Sequence, residues 1–179
     1  MLAGSMAGCS TCKEKNMPFD PMLFRQVLGR FATGVTVITT SHEGVKHGMT
    51  ANAFSSVSLD PPLIMVSVDK RANMHDLLMT GEAFCVNILA EHREDWSGWW
   101  AGKAPKEGDQ FADIPHRTKV TGSPVLDECV AYIDCTVWAR YDAGDHTLFI
   151  GEVQEASPSE DPNIRPLLFY ASKYRKLID

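Results

Sequence analysis

The sequence lacks the features of a membrane protein, a nucleic-acid-binding protein and a disulfide-stabilised secreted domain. Its most apolar stretch, residues 63–68, is far shorter than the roughly 20 residues that a membrane-spanning helix needs. Its 17 basic residues are outnumbered by 23 acidic ones and are scattered along the chain, which argues against a nucleic-acid partner. The five cysteines are an odd-numbered set spread along the chain and do not make a disulfide framework. These absences favour a soluble protein of the reducing cytoplasm.

Several enzyme signatures are also missing. The sequence contains no dinucleotide-binding GxGxxG, no phosphate-binding GxxxxGK[ST] and no GxSxG nucleophile motif. His42 and His47 share one loop, whereas the other histidines are isolated along the chain. The spacing of histidines and cysteines therefore predicts no metal site.

The first 18 residues need a separate interpretation, because they contain both a Met-Ala-Gly-Cys sequence ending at Cys9 and a Cys-x-x-Cys from Cys9 to Cys12. A lipoprotein signal needs a basic start and an apolar stretch, and the residues before Cys9 supply neither. A zinc site would need a second ligand pair, which the sequence does not offer. We expect a disordered tail over residues 1–18 and a single domain over residues 19–179.

Short strands dominate the predicted domain. Asp20 and Pro21 predict the start of an amphipathic helix, whose apolar face carries Leu23, Phe24, Val27, Leu28 and Phe31. Further helices are predicted over residues 72–79 and 91–100. Runs rich in β-branched and aromatic residues predict strands over 35–40, 48–54, 63–68, 84–89, 130–141, 146–156 and 167–170.

The two longest predicted strands should form a hairpin, since residues 142–145 read Asp-Ala-Gly-Asp. In the first of them, odd-numbered residues from Ala131 to Ala139 should face the core, and even-numbered residues from Tyr132 to Arg140 should face away from it. Helices do not alternate regularly with strands. The pattern therefore predicts a mainly β fold, a small antiparallel barrel with short helices at its rim, rather than a doubly wound parallel sheet.

A tryptophan cluster and three cysteines fall inside these predicted elements. Trp96, Trp99 and Trp100 could cap the adenine half of a flavin or of a nicotinamide cofactor, but aromatic clusters of this kind more often pack in a core or an interface. Cys85, Cys129 and Cys135 lie in strand patterns, and we expect them to be small buried hydrophobes.

The run GMTANAFSSVSLDPP over residues 48–62 has many small and hydroxyl residues where a barrel strand is ordinarily apolar. In an extended strand, Thr50, Asn52 and Phe54 would share one face, and Ala51 and Ala53 would leave the backbone accessible on the other. Residue types alone favour a polar edge strand followed by a turn. The alternative is a surface where a flat ligand approaches the main chain.

With this run, FATGVTVITT over residues 31–40 and GDHTLFIGEV over residues 144–153, the sequence resembles the short-chain flavin reductases over residues 17–177. The resemblance implies an FMN-binding split β-barrel of the Greek-key type, usually a homodimer. It also implies hydride transfer from NADH or NADPH to FAD or FMN, and supply of reduced flavin to a partner monooxygenase, such as an aromatic or chlorophenol hydroxylase. Two alternatives remain: a flavin-binding electron-transfer or storage protein without NAD(P)H turnover, and a reductase of a bound substrate such as a corrin or an oxidised amine.

The resemblance also assigns roles to individual residues. Thr50, Ala51 and Asn52 would lie near the isoalloxazine, and Ser55 and Ser56 toward the ribityl chain and phosphate. The complete flavin-binding set is Met49, Thr50, Ala51, Asn52, Ser55, Ser56, Ser67, Val68, Asp69, Lys70, Ala72, Asn73 and Met74.

Asn73 is the expected phosphate ligand at a helix start, where free N–H groups and a partial positive charge favour anions. The family usually has Ser or Thr at this position. Lys70 and Arg71 would add full positive charges, or form a solvated turn. The nicotinamide would stack near Gly144, Asp145 and His146, with His146 as the catalytic side chain.

The resemblance and one strand together predict a homodimer. Residues 63–68 read LIMVSV, a run that we expect to be too apolar to have a solvated face. The choices between FMN and FAD and between NADH and NADPH stay open at this point.

Overall fold

The computed structural model of the protein describes residues 19–104 and 108–178. The predicted tail, with Cys9 and Cys12, lies outside these residues. The helices are α1 (Pro21–Leu28), α2 (Asn73–Thr80) and α3 (Glu94–Gly98), and α3 is followed by a π-helical turn (Trp99–Lys103). None of the helices described is long and apolar enough to cross a membrane.

Most of the other described residues are in strands, so the predicted mainly β class is confirmed. The strands are β1 (Thr33–Gly34), β2 (Thr36–His42), β3 (Val45–Ala51), β4 (Phe54–Leu59), β5 (Pro62–Asp69), β6 (Ala83–Leu89), β7 (His116–Thr118), β8 (Pro124–Leu126), β9 (Cys129–Ala143), β10 (His146–Pro158), β11 (Leu168–Tyr170) and β12 (Lys173–Arg175). The β9–β10 hairpin forms as predicted, and Gly144 adopts a φ of +73° in its turn.

Seven strands form one antiparallel sheet in the order β3-β2-β6-β9-β10-β5-β4. In a flat sheet β3 and β4 would be about 29 Å apart, six strand spacings of roughly 4.8 Å. Yet only Asn52 and Ala53 separate the two strands along the chain, and three residue steps span at most about 11 Å. The sheet must therefore curl until its edges approach each other, which gives a split barrel.

One apolar cluster fills the inside of this curved sheet. It includes Ile38 from β2, Val66 from β5, Phe84 from β6 and Phe149 from β10, and all four are fully buried. Met74 and Leu78 of α2 close the cluster at one end. Gly151 lies against this core, since a Cβ there would be 2.6 Å from the ring of Phe84.

A second cluster lies outside the barrel, where the tryptophans of α3 and the π-helical turn pack. Trp96 and Trp100 are buried with Phe111, and Trp99 packs at the margin. Trp96 and Trp100 therefore belong to a packed aromatic core. The helix begins at Glu94 rather than at residue 91, because the Glu91 N–H donates to the Arg165 carbonyl instead of entering a helix.

Two predictions about strands are wrong. The predicted strand 48–54 is broken, because the chain turns at Asn52 and Ala53; Ala51 and Phe54 consequently both pack against the core. The outer face of β9 is not uniformly solvated, because the β7–β8 ribbon covers Tyr132 and Asp134. Thr121 beside this ribbon donates its backbone N–H and its hydroxyl to the buried Asp134 carboxylate.

The strand β5 is also less uniformly buried than predicted. Ile64, Val66 and Val68 are buried, whereas Leu63, Met65 and Ser67 on the other face are only half-buried. The cysteine prediction holds: Cys85, Cys129 and Cys135 are buried free thiols. Burial raises the pKa of Cys129 and of Cys135 to about 12, so both thiols stay protonated at neutral pH.

Candidate active site

The predicted flavin segments line two adjoining clefts along β3. The first, called here the α2 cleft, has a volume of about 450 Å³. It brings together the predicted residues Met49, Thr50, Ala72, Asn73 and Met74, with His47, Gly48, Trp100, Ala101, Gly102, Ala104 and Gln110 as further neighbours. The second cleft is lined by Thr50, Ala51 and Asn52, and shares Thr50 and Ala101 with the first. The clefts thus form one continuous surface beside the polar strand.

The N-terminus of α2 opens into the α2 cleft. Asn73 is the first helical residue and its side chain is exposed, while Ala72 before it supplies no side-chain cap. The first N–H groups of a helix have no intrahelical acceptor and carry a partial positive charge. This end of α2 therefore suits an anionic group, although Met74 turns its own side chain into the core.

The two basic residues before α2 are already paired. Lys70 contacts the Asp142 carboxylate, and its Nζ donates to the Gly144 carbonyl at 2.7 Å. The Arg71 Nη2 lies 2.7 Å from Asp69 Oδ2, and this pairing holds the pKa of the Asp69 carboxyl well below its usual range. Lys70 consequently ties the end of β5 to the hairpin turn.

His146 lies at the start of β10, directly opposite Asp69 of β5. Its Nδ1 is 2.7 Å from Asp145 Oδ1, and this contact lowers the pKa of the Asp145 carboxyl. A carboxylate can only accept, so Nδ1 carries the hydrogen and Nε2 has the free lone pair of the neutral ring. The imidazole is 40% exposed and can reach a ligand.

His146 and Asp145 line a third and larger cavity of about 930 Å³, called here the α1 cavity. Ser67 and Ala143 also line it, and α1 forms the opposite wall with Pro21, Phe24, Arg25 and Leu28. Ser67 donates its backbone N–H to the Ala53 carbonyl at 3.0 Å, which connects this cavity to the turn after β3. The strand β5 therefore contacts both the turn that follows the predicted flavin residues of β3 and the predicted nicotinamide residues at the start of β10.

Some predicted residues lie elsewhere. Ser55 and Ser56 are exposed on β4 and line none of these three cavities. The side chain of Val68 belongs to the core, so only its backbone could meet a ligand. Thr50 donates its hydroxyl to the Ser97 carbonyl at 2.7 Å, and the Asn52 amide donates to Thr33.

Sequence reasoning missed several neighbours of the site. His47 lines the α2 cleft, and burial lowers the pKa of His47. Trp100 lines this cleft as well, although the sequence favours a core or interface position for it over the cofactor site. Arg25 and Phe24 line the α1 cavity. The i, i+3, i+4, i+7 spacing of Pro21, Phe24, Arg25 and Leu28 places all four on one helix face, and this signal could have identified Phe24 and Arg25.

The donor chemistry fits a flavin beside β3 and a reductant beside His146. Ala51 and Ala53 have small side chains, and the α2 N-terminus suits a phosphate. In the wall of the α2 cleft, Trp100 places a buried indole N–H that has no hydrogen-bond partner among the described residues. Among the described residues, no three histidine, cysteine or acidic side chains group in a way that could hold a metal ion.

Two known proteins are similar to this chain over most of its length. An NADH-dependent flavin reductase from a Rhodococcus species is 40% identical over 170 residues, covering 93% of this chain and 92% of that protein. The reductase subunit HsaB of a flavin-dependent monooxygenase from Mycobacterium tuberculosis is 41% identical over 155 residues, covering 87% of this chain and 81% of that protein.

A solved structure and a family match extend the comparison. The NADH:FAD oxidoreductase SgcE6 of Streptomyces globisporus, solved with NAD and FAD fragments, has a TM-score of 0.82 and 36% identity, covering 89% of this chain and 93% of that one. The family described as "Flavin reductase like domain" matches residues 28–177. With this match over most of its length, the chain belongs to the flavin reductase like domain family.

Proposed function

We propose that the protein is an NADH-dependent flavin reductase that reduces FAD or FMN and supplies the reduced flavin to a flavin-dependent monooxygenase. The observation that carries the proposal is the connection through Lys70. This residue binds the hairpin turn before His146 to the segment that leads into α2, so a reductant site and an anion site are held side by side. The names of the relatives, NADH-dependent flavin reductase and monooxygenase reductase subunit, support the same activity.

The residues divide into two roles under this proposal. Met49, Thr50, Ala51 and Asn52 hold the flavin ring along β3. Ser67, Asp69, Ala72 and Asn73, with the backbone of Val68 and Met74, hold its ribityl chain and phosphate. Ser55 and Ser56, which lie on β4, take part only if a ligand extends over that edge. Lys70 acts through the turn that it fixes, since its ammonium group already has two partners.

A bound flavin supplies a ring that accepts a hydride, so the work of the protein is alignment. Gly144 allows the tight turn, and Asp145 orients the imidazole of His146 through Nδ1. The free Nε2 of His146 then accepts a hydrogen bond from the carboxamide N–H of the nicotinamide, which orients the ring. The small side chains of Ala51 and Ala53 leave the main chain open to a flat ring.

We also propose a homodimer, acting in the reducing cytoplasm, with residues 19–179 as one domain. The outward side of α1 and the segment after it support this assembly, since Leu23 and Val27 of the helix are 47% and 56% exposed and Phe31 beyond it is 76% exposed. Leu59 on the edge strand β4 is 94% exposed. Sedimentation at micromolar concentration should give about twice the 19.8 kDa chain mass; a flavin-binding monomer would contradict the dimer.

The partner is proposed to be an aromatic or chlorophenol hydroxylase that receives reduced flavin by diffusion.

One mixing experiment tests the reductase itself. NADH or NADPH is added to the protein with excess FAD, FMN or riboflavin, and oxidation is followed at the nicotinamide absorbance band. Many turnovers with NADH and a flavin are expected. Tight flavin binding with no turnover would instead establish a flavin carrier.

A further inference from the structure

The helix α1 is held away from the barrel. The Asp20 carboxylate caps it by accepting from the Met22 N–H at 2.9 Å, and the Gly29 carbonyl just after it accepts from the Ala171 N–H at 2.8 Å. The helix is thus fixed in place, yet none of its residues is buried. An apolar helix face left open in this way normally covers something.

The space beneath α1 is the α1 cavity. The helix face at Phe24, Arg25 and Leu28 lines one side, and Asp145 and His146 line the other. Its volume of about 930 Å³ is at the upper end of the range in which proteins bind ligands of roughly drug size or larger. The cavity therefore continues from His146 toward α1, well beyond the space that a nicotinamide ring alone requires.

Of the two charged side chains Asp145 and Arg25 that line this cavity, only Asp145 has a partner among the described residues. Asp145 is engaged by His146, whereas the Arg25 guanidinium has no ion-pair or hydrogen-bond partner among residues 19–104 and 108–178. Arginine presents a planar fork of donors that matches phosphate oxygens. Beside it, the ring of Phe24 is 53% exposed and meets Phe19 edge-on at 6.2 Å.

We infer that α1 is the outer wall of the reductant site, where Arg25 binds the diphosphate of NADH and Phe24 packs against one of its rings. The inference rests on the proposed function and extends it from the nicotinamide to the rest of the dinucleotide. A dinucleotide has an anionic diphosphate that matches the Arg25 guanidinium, and flat rings that match the ring of Phe24. The outward side of α1, with Leu23 and Val27, remains for the subunit contact.

The test compares two hydride donors in Arg25→Gln. NADH carries the diphosphate, whereas 1-benzyl-1,4-dihydronicotinamide carries no phosphate. We expect the KM for NADH to rise about tenfold or more, with kcat within about twofold, because a charge-assisted contact to the ground state is lost. Kinetics with the benzyl donor should stay unchanged, and Arg25→Lys should recover part of the NADH affinity. Arg30→Gln is the matched control, since Arg30 lies outside the cavity lining.

Four results would overturn the inference: an unchanged KM for NADH, an equal loss with both donors, a loss seen with FAD but not with FMN, or a changed oligomeric state in sedimentation. The third would assign Arg25 to the flavin diphosphate, and the fourth to the subunit contact. If the wild type oxidises neither donor, the proposed function fails by itself. Calorimetric titration of NADH into wild type and Arg25→Gln then decides the inference, with weaker binding by the variant expected.

Discussion

The helix α1 and the segment formed by α3 and the π-helical turn look alike in sequence but differ in the structure. The sequence predicts a helix with apolar residues in each case: an amphipathic helix from Pro21, and a tryptophan-rich helix over residues 91–100. Trp96 and Trp100 are 4% and 5% exposed, whereas Phe24 and Val27 of α1 are 53% and 56% exposed. An apolar pattern therefore indicates that a face will be covered, but it does not indicate whether the chain itself, a ligand or a second subunit covers it.

A distant glycine explains why the tryptophan segment packs so closely. A Cβ at Gly48 would be 2.4 Å from the Trp100 Nε1, so any side chain there would displace the indole. The Gly48 N–H also donates to the Gln110 side chain at 3.2 Å. No comparable site beneath α1 receives Phe24, and the α1 cavity is found there instead.

Trp100→Ala should give the largest effect. Removing this buried indole leaves a cavity between β3 and Phe111, and we expect a loss of about 3–5 kcal/mol in the free energy of unfolding. Met22→Ala on α1 should change it by less than about 0.5 kcal/mol, because Met22 is 63% exposed. Urea unfolding measures both. Equal losses would mean that α1 is packed as firmly as the tryptophan segment.

Asn73→Asp should give the next effect. The substitution places a carboxylate at the α2 N-terminus with little change in volume, and like charges should repel there. We expect FAD and FMN to bind about tenfold more weakly, or ~1.4 kcal/mol, with riboflavin little affected. Flavin fluorescence titration measures the three affinities. The control is Asn163→Asp, the same change on an exposed loop; equal weakening of all three flavins would remove Asn73 from the phosphate site.

The smallest effect concerns pH and the α2 cleft. Burial lowers the pKa of His47, so the unfolded chain binds a proton at a higher pH than the folded chain does. Stability is therefore complete above about pH 6.5 and falls as the pH drops toward the folded-state pKa. His47→Gln should remove this slope and change the melting midpoint at pH 5.5 by less than about 2 °C. An unaltered slope would show that His47 titrates as in the unfolded chain.

The sequence predicted the strands, the hairpin and α2 well because each has a local signal. Asp20 with Pro21, the Asp-Ala-Gly-Asp turn and the β-branched runs act within a few residues. The β7–β8 ribbon was missed, because strands of three residues are too short for alternation to show. The break after β3 was missed for a different reason: Ala51 and Phe54 turn to the same core only because the sheet curls.

The candidate site was predictable in part. The resemblance named the segments along β3 and α2 and the turn at His146, but the pairing of Lys70 with Asp142 depends on residues 72 positions apart. The contribution of Phe24 and Arg25 to the cavity could not be predicted, because no local sequence pattern shows that α1 lies opposite His146.

The most direct test of the account is stopped-flow reduction of flavin bound to wild type and His146→Ala, under anaerobic conditions across a full NADH titration. His146 is oriented by Asp145 beside the proposed reductant site, so its loss should slow hydride transfer about tenfold or more, corresponding to at least ~1.4 kcal/mol, while flavin affinity stays nearly unchanged. Hydride transfer at the wild-type rate in His146→Ala would contradict the account, because His146 would then be only a turn residue.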